Sequence, residues 1–322
     1  MALKEKFLGT ILGCAVGDAL GAPFEFKKGF SIRAVDNLGE FYHPLDKCPL
    51  GQYTDDTQLT LALAETYIAN LGFKGFDFAK RLAEFWARGE IIGPGISCTE
   101  AVKNLQSGKT WRNSGDIEGK AGNGAAMRAS PTGLWNYDNP EQLKKDSIAQ
   151  SQITHKDPRA KAGAAAVAFA IAYNLTHEKI EPQEFADAGA ELIKDINPEF
   201  SGYISRLPEW LAKEEQIALL EISCAGWLEP ARWIDQITPF VIPTVLVALY
   251  NFLRTPENFS LTVKRTLQAG GDVDTTASIA GAISGSFNGV KAIPGNLIED
   301  LYQSDLIANT SLRLYQARHN EI

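Results

Sequence analysis

The sequence predicts an all-α fold, and three observations support this. Apolar residues recur at three- and four-residue spacing along nearly the whole chain of 322 residues, which is typical of helices with one buried face. Proline stands at or near the predicted start of several segments, as in Asp157-Pro158 and Glu181-Pro182, where a helix does not need the missing N–H. Alternation with a period of two, rich in Val, Ile and Tyr, is nearly absent, so we expect hardly any strands.

The first predicted helix spans residues 3–20 and carries Gly13, Gly17 and, just beyond its end, Gly21, four residues apart. Small residues along one face allow a second backbone to come close. Further helical periodicity follows at residues 56–71, 76–88, 97–106, 140–151, 158–176, 182–195, 208–221, 239–253, 256–268 and 274–287. Glycines and polar residues concentrate in the loops at residues 22–55, 89–96, 107–124 and 268–274.

The composition is that of a globular chain with a sizeable core. Hydrophobic residues make up 45% of the sequence and charged residues 22%, which fits one large domain or two small ones. No internal repeat, low-complexity tract or linker stands out. Because the polar loops are spread over the whole chain, we expect a single domain over residues 1–322 whose loops converge on one cleft.

Charge and targeting signals exclude several classes of protein. The net charge is −8 and basic residues are scattered, so we expect no extended nucleic-acid or membrane surface. The four cysteines are far apart, which is typical of thiols in a reducing compartment rather than of disulfides. The apolar run ahead of Cys14 is short for a signal peptide, and no run of about 18 apolar residues occurs. We therefore expect a cytoplasmic protein without a membrane span, and we favour a monomer.

Two clusters of aspartate and threonine stand at predicted helix starts, in "GQYTDDTQLTLALAE" at residues 51–65 and in "AGGDVDTTASIAGAISG" at residues 269–285. Helix capping would explain either cluster alone. Adjacent carboxylates repel each other unless a positive charge lies nearby, so the two clusters together favour a metal site. Oxygen ligands suit Mg²⁺ first and Mn²⁺ next, rather than zinc. Two such ions about 3.5–4 Å apart would neutralise the cluster.

Five segments occur in one order along the chain: "GCAVGDALGAPFE" at 13–25, "YTDDTQLTLALAE" at 53–65, "GNGAAMRASPTGL" at 122–134, "THKDPRAKAGAAAVAFAIA" at 154–172 and "GGDVDTTASIAGAISGSFNG" at 270–289. Together they resemble the ADP-ribosylglycohydrolase family, which includes the dinitrogenase reductase-activating glycohydrolases and the vertebrate ADP-ribosyl-acceptor hydrolases. The resemblance implies an all-α orthogonal helical bundle with a binuclear magnesium or manganese centre.

The resemblance also implies roles for individual residues. The metal ligands would be Thr54, Asp55, Asp56, Asp272, Asp274 and Thr275. Glu25, which ends "GAPFE", would lie at the metal centre and gate or assist the chemistry. Without the resemblance, we would interpret Glu25 as an acidic residue of a surface loop.

The segment "GNGAAMR" is a glycine-rich turn that we expect to enter a helix and to expose backbone N–H groups to a phosphate or ribose. The resemblance places Gly122, Asn123 and Gly124 along an ADP-ribose cleft, while Arg128 is equally well explained as structural. It also places His155 in that cleft, the alternative being a solvated loop histidine.

One segment departs from the family. Nitrogenase-regulating members carry an acidic residue in a loop resembling "GPGISCTEAV", residues 93–102, where this chain has no carboxylate before Glu100. The departure argues against arginine-specific hydrolysis by that route and leaves Glu25 or a metal-bound aspartate such as Asp55 as the base.

The function implied is metal-dependent hydrolysis of the bond between C1″ of ADP-ribose and an acceptor, with an ADP-ribosylated protein or small molecule as substrate. The alternatives are a catalytically silent ADP-ribose- or nucleotide-binding protein and a hydrolase of small ADP-ribose derivatives.

Overall fold

The structure is a computed structural model that describes residues 1–27, 38, 42–43, 45–115, 119–227 and 236–320. This part of the chain contains sixteen α-helices and, apart from two isolated bridges, no β structure, which confirms the all-α prediction. In chain order the helices are α1 Leu3–Gly21, α2 Asp55–Asn70, α3 Gly75–Arg88, α4 Ile96–Gln106, α5 Ser130–Trp135, α6 Pro140–Ser151, α7 Pro158–Thr176, α8 Pro182–Ile193, α9 Pro198–Ser205, α10 Leu207–Leu211, α11 Glu215–Ser223, α12 Val241–Arg254, α13 Phe259–Gln268, α14 Val273–Asn288, α15 Gly295–Glu299 and α16 Ser304–His319.

The helices α1 and α14 form the centre of the fold and run antiparallel in close contact. A β-carbon at Gly13 would overlap the carbonyl oxygen of Gly281, and one at Gly17 would overlap that of Ala277. The small-residue face predicted for the first helix is therefore confirmed. This packing places the C-terminal end of α1 beside the start of α14, where Gly21 lies against the backbone of Asp274.

Helix α1 is more apolar than we expected. Together with the short 3-10 turn Ala22–Phe24, it is the one helix of the described residues long and apolar enough to cross a membrane. However, 89% of its most apolar window is buried inside the protein, where it packs against α14 and α16. Burial in the core therefore accounts for its composition.

Several predicted helices differ from the observed ones. The segment at 208–221 forms two helices, α10 and α11, instead of one. Helix α13 begins later than predicted because the Asn258 side chain caps it, accepting a hydrogen bond from Leu261 N–H at 2.9 Å. Four helices were not predicted: α5, α9, α15 and α16. The buried face of α16 includes Thr310 and Ser311, and these polar residues weaken its apolar periodicity.

Candidate metal centre

The structure brings the two aspartate–threonine clusters together at the starts of α2 and α14. The Thr275 hydroxyl lies 3.3 Å from Asp56 Oδ2, although 219 residues separate the two. Glu25, Asp272 and Asp274 each place a carboxylate oxygen within 4.8 Å of the other two. We call this group, Glu25 with Asp55, Asp56, Asp272 and Asp274, the acidic cluster.

Helix α2 is capped by a residue of another helix. Its N-cap residue, Thr54, makes no side-chain hydrogen bond to its own helix. Instead, the Asp18 carboxylate of α1 accepts hydrogen bonds from the backbone N–H groups of Thr54 and Thr57, each at 3.0 Å. It also accepts from the two threonine hydroxyls, at 2.8 and 2.6 Å. Capping therefore does not explain Asp55 and Asp56, whose carboxylates stay available for a cation.

Asp18 was not among the site residues that we predicted from the sequence. The sequence did contain a signal, since Asp18 is the single charged residue in the otherwise small and apolar run "GCAVGDALGAPF". A charge on a buried helix face needs polar partners. Asp18 is fully buried. Burial raises its pKa to about 6, while the four hydrogen bonds from Thr54 and Thr57 work in the opposite direction.

The acidic cluster has strongly perturbed pKa values. Burial first, and then the negative charge of neighbouring carboxylates, raises the pKa of Asp55, Asp56 and Asp274 well above the usual range. Burial also raises the pKa of Asp272. The side chain of Glu25 is more exposed, yet burial of its carboxyl group and the charge of Asp272 raise its pKa to about 7.

Within the described residues, no ion pair with a lysine or arginine neutralises the acidic cluster. Asp56 Oδ1 is buried and has no hydrogen-bond partner there, which is costly unless a cation or water meets it. All donors are carboxylate or hydroxyl oxygens, the ligands that hard divalent cations prefer. The residues present therefore fit a divalent cation.

The acidic cluster lines a cleft of about 350 Å³, a size typical of small-molecule sites. The first turn of α4 faces the same cleft, with Ile96, Ser97 and Cys98 among the lining residues. A larger cavity of about 680 Å³ between α2, α3 and α16 contains no residue of the acidic cluster. We therefore place the candidate site in the smaller cleft.

The turn at Gly122, Asn123 and Gly124 lines the cleft, but its donors are not all available. The Asn123 amide donates to Asp272 Oδ2 at 2.6 Å and to the Thr244 hydroxyl at 3.1 Å. The backbone N–H of Asn123 donates to a carbonyl oxygen at 3.0 Å, that of Pro239. The expectation that this N–H faces a ligand is therefore wrong, and Asn123 orients Asp272 instead. The turn also does not lead directly into a helix, because α5 begins only at Ser130.

His155 lies against this turn and lines the cleft. Its side chain is 3% exposed, so the alternative of a solvated loop histidine is wrong. The close approach of the imidazole to the turn depends on glycine, because a β-carbon at Gly124 would lie 2.9 Å from the imidazole Cε1 and one at Gly122 would lie 3.1 Å from Nε2.

Glu100, the first carboxylate after "GPGIS", pairs with Lys120 at 3.0 Å and is not among the residues that line the cleft. Gly95, the residue before α4, instead approaches the acidic cluster, where a hydrogen bond from its backbone N–H opposes the rise that burial causes in the pKa of Asp55.

Comparisons with known proteins agree with this architecture. The family model described as ADP-ribosylglycohydrolase matches residues 1–321. The chain is 28% identical over 307 residues to the ADP-ribosyl-[dinitrogen reductase] glycohydrolase of Rhodospirillum rubrum, covering 93% of this chain and 91% of that protein. It is 26% identical over 318 residues to the ADP-ribosylarginine hydrolase Tri1 of Serratia proteamaculans, covering 97% and 79%.

A solved structure described as an ADP-ribosylglycohydrolase-related protein complex matches the fold with a TM-score of 0.73 and 24% sequence identity, covering 98% of both chains. This likeness shows the fold, while the family match extends over almost every residue and includes both aspartate–threonine clusters. The chain belongs to the ADP-ribosylglycohydrolase family.

Proposed function

We propose that this protein hydrolyses the bond between C1″ of ADP-ribose and an acceptor, with a binuclear Mg²⁺ or Mn²⁺ centre. The observation that carries the proposal is the meeting of both aspartate–threonine clusters in one cleft, beside the glycine turn and His155. The two relatives described above are named for hydrolysis at ADP-ribosylarginine and at ADP-ribosyl-dinitrogen reductase. Their names support the reaction class.

The proposed metal ligands are Thr54, Asp55, Asp56, Asp272, Asp274 and Thr275. When bound, the ions would polarise a water molecule and hold hydroxyl groups of the distal ribose. The protein prepares these ligands by hydrogen bonding. Asp18 accepts from the Thr54 hydroxyl and so leaves the oxygen lone pairs of Thr54 for an ion. Asn123 and Gly95 N–H donate to Asp272 and Asp55, respectively.

Glu25 is the proposed general base. Its carboxylate lies beside those of Asp272 and Asp274, and the bound cations would keep it ionised and able to accept a proton. As water attacks C1″, Glu25 takes its proton and the bond to the acceptor breaks. The bonding electron pair leaves with the acceptor, and the proton that Glu25 took passes to the leaving atom, so the products are ADP-ribose and the free, protonated acceptor. Asp55 is the second candidate for this role.

His155, Gly122 and Gly124 are the proposed substrate-binding residues, with Asn123 acting through Asp272. A cleft of about 350 Å³ holds part of an ADP-ribose unit, and the open side would admit the rest and the acceptor. We further propose that the enzyme is a cytoplasmic monomer.

Because all four aspartates of the cluster are present, we favour an enzyme over a silent ADP-ribose-binding protein. The proposal is tested by measuring free ADP-ribose released from several substrates: arginine-linked, serine-linked, nucleic-acid-linked and small-molecule ADP-ribose. We expect release from at least one substrate with Mg²⁺ or Mn²⁺, none from Asp274→Ala, and normal release from Glu100→Gln as a matched control. Tight ADP-ribose binding without release from any substrate would favour the silent binder.

A further inference from the structure

Arg128 is fully buried, yet its guanidinium makes no ion pair with a carboxylate among the described residues. It donates instead to neutral acceptors: Gln150 Oε1 at 2.9 Å, Gly124 O at 2.8 Å, Gln150 O at 3.1 Å, Thr154 Oγ1 at 2.7 Å and, in a longer contact, Cys98 Sγ at 3.8 Å. These bonds join the glycine turn to the segment that carries His155. Arg128 itself does not line the cleft, so it acts from behind it.

The bond from Arg128 determines what Thr154 can do. A guanidinium only donates, so the Thr154 hydroxyl oxygen accepts from it. The remaining hydroxyl proton has two candidate acceptors: His155 Nδ1, which is 2.8 Å from the same oxygen, and the Cys98 sulfur, which is a weak acceptor. A cationic donor polarises the hydroxyl and makes it a better donor to the next group in a hydrogen-bonded chain. With Thr154 as the donor to Nδ1, the imidazole carries its proton on Nε2.

The Nε2 edge of His155 lies beside Gly122, a residue that lines the cleft. A β-carbon at Gly122 would lie 3.1 Å from Nε2, and both residues line the cleft together. In this tautomer the imidazole presents an N–H donor to the space that the ligand would occupy. In the other tautomer it would present a lone pair to that space, which would face oxygen atoms of phosphate or ribose unfavourably.

We propose that Arg128 and Thr154 are positioning residues that hold His155 in the Nε2–H tautomer, so that it donates a hydrogen bond to an oxygen of ADP-ribose. The identity of the ligand, ADP-ribose, rests on the proposed function. The tautomer does not, because it is a property of the free protein. The inference also decides between the two explanations of Arg128 that the sequence left open, since Arg128 acts through Thr154 and not on the ligand.

The test is nitrogen NMR of the full ¹⁵N-labelled chain, in which the Nδ1 and Nε2 shifts distinguish the two tautomers. The chain has four histidines, and His155→Gln assigns the signal. We expect wild-type His155 in the Nε2–H form. Thr154→Val removes the hydroxyl at nearly constant shape, so we expect a mixture of tautomers and ADP-ribose binding weakened by roughly tenfold in the presence of Mn²⁺. Thr154→Ser restores the hydroxyl and should restore both properties.

A wild-type His155 in the Nδ1–H form would overturn the proposal. So would a Thr154→Val protein with an unchanged tautomer and an unchanged dissociation constant for ADP-ribose. Should Thr154→Val fail to fold by circular dichroism, Thr154→Ala serves in its place with the same expectations. A failure of the proposed function would look different, because the protein would release no ADP-ribose while the NMR result stayed as expected.

Discussion

Asp18→Asn tests how the protein builds its metal centre. Asp18 accepts hydrogen bonds from four donors, two on Thr54 and two on Thr57, and asparagine keeps its size but only one acceptor oxygen. If that oxygen stays with Thr57, the Thr54 hydroxyl, 2.8 Å from Asp18 Oδ1, loses its acceptor. One unsatisfied buried donor costs about 1–3 kcal/mol, partly offset because a buried negative charge is removed.

The effect on metal binding should exceed the effect on folding. The Asp18 carboxylate holds Thr54, a proposed metal ligand, and loss of a partner that orients a ligand typically weakens metal affinity by about 10–100-fold. We therefore expect Asp18→Asn to fold and to bind Mn²⁺ about 10–100-fold more weakly. Isothermal titration calorimetry on protein stripped of metal measures the dissociation constant, and thermal unfolding in chelator measures the stability.

Asp146→Asn is the matched control for this prediction. Asp146 is also buried and accepts hydrogen bonds from Tyr67, Asn136 and Gln142 at 2.7 to 3.0 Å, but it does not line the cleft. Its substitution should lower the unfolding free energy while leaving Mn²⁺ affinity unchanged. Wild-type Mn²⁺ affinity in Asp18→Asn, or an equal loss of affinity in both variants, would refute the reasoning.

Three further predictions follow from the geometry. Glu25→Gln should lower single-turnover rates by about 10²–10⁴ with little change in calorimetric ADP-ribose affinity, and an equal loss of both would make Glu25 a ligand rather than the base. Burial raises the pKa of Glu25 from 4.5 to about 7 and that of Asp18 from 3.8 to about 6, so the folded state binds protons more tightly than the unfolded state. The melting temperature in chelator should therefore fall as the pH rises from about 5 to about 7, and added Mn²⁺ should remove this fall; a rise in chelator would contradict it. Gly124→Ala places a β-carbon 2.9 Å from the His155 ring and should weaken ADP-ribose binding by roughly tenfold without changing Mn²⁺ affinity. The control is Gly202→Ala, where a β-carbon meets nothing within 4 Å. Equal ADP-ribose affinities in the two variants would refute the packing argument.

The helical fold was predictable because it depends on local signals. Apolar spacing and first-turn prolines located most helices, including α6 and α7 with their observed bounds. The glycine spacing of α1 also predicted a close backbone neighbour, although not that the neighbour is α14. Helix α16 was missed because its buried face is partly polar.

The candidate site was predictable only in part. Two adjacent carboxylates at a helix start already indicated a cation, and the second cluster indicated where the remaining ligands lie. The role of Asp18 could not be predicted, because Thr54, the N-cap residue of the helix that Asp18 caps, lies 36 residues further along the chain. Nor does the sequence show that Asn123 orients Asp272, since that hydrogen bond joins residues 149 positions apart. Such contacts depend on tertiary packing and not on local pattern.

The most direct test of the account is to follow ADP-ribose release while Mn²⁺ is added back to the chelated protein. The substrate is whichever ADP-ribosylated acceptor supports turnover in the release assay. If both aspartate–threonine clusters form one binuclear centre that supports the hydrolysis, the chelated protein releases no ADP-ribose. The rate then reaches its plateau at about two equivalents of Mn²⁺ per chain. A chelated protein that keeps its full rate would contradict the account.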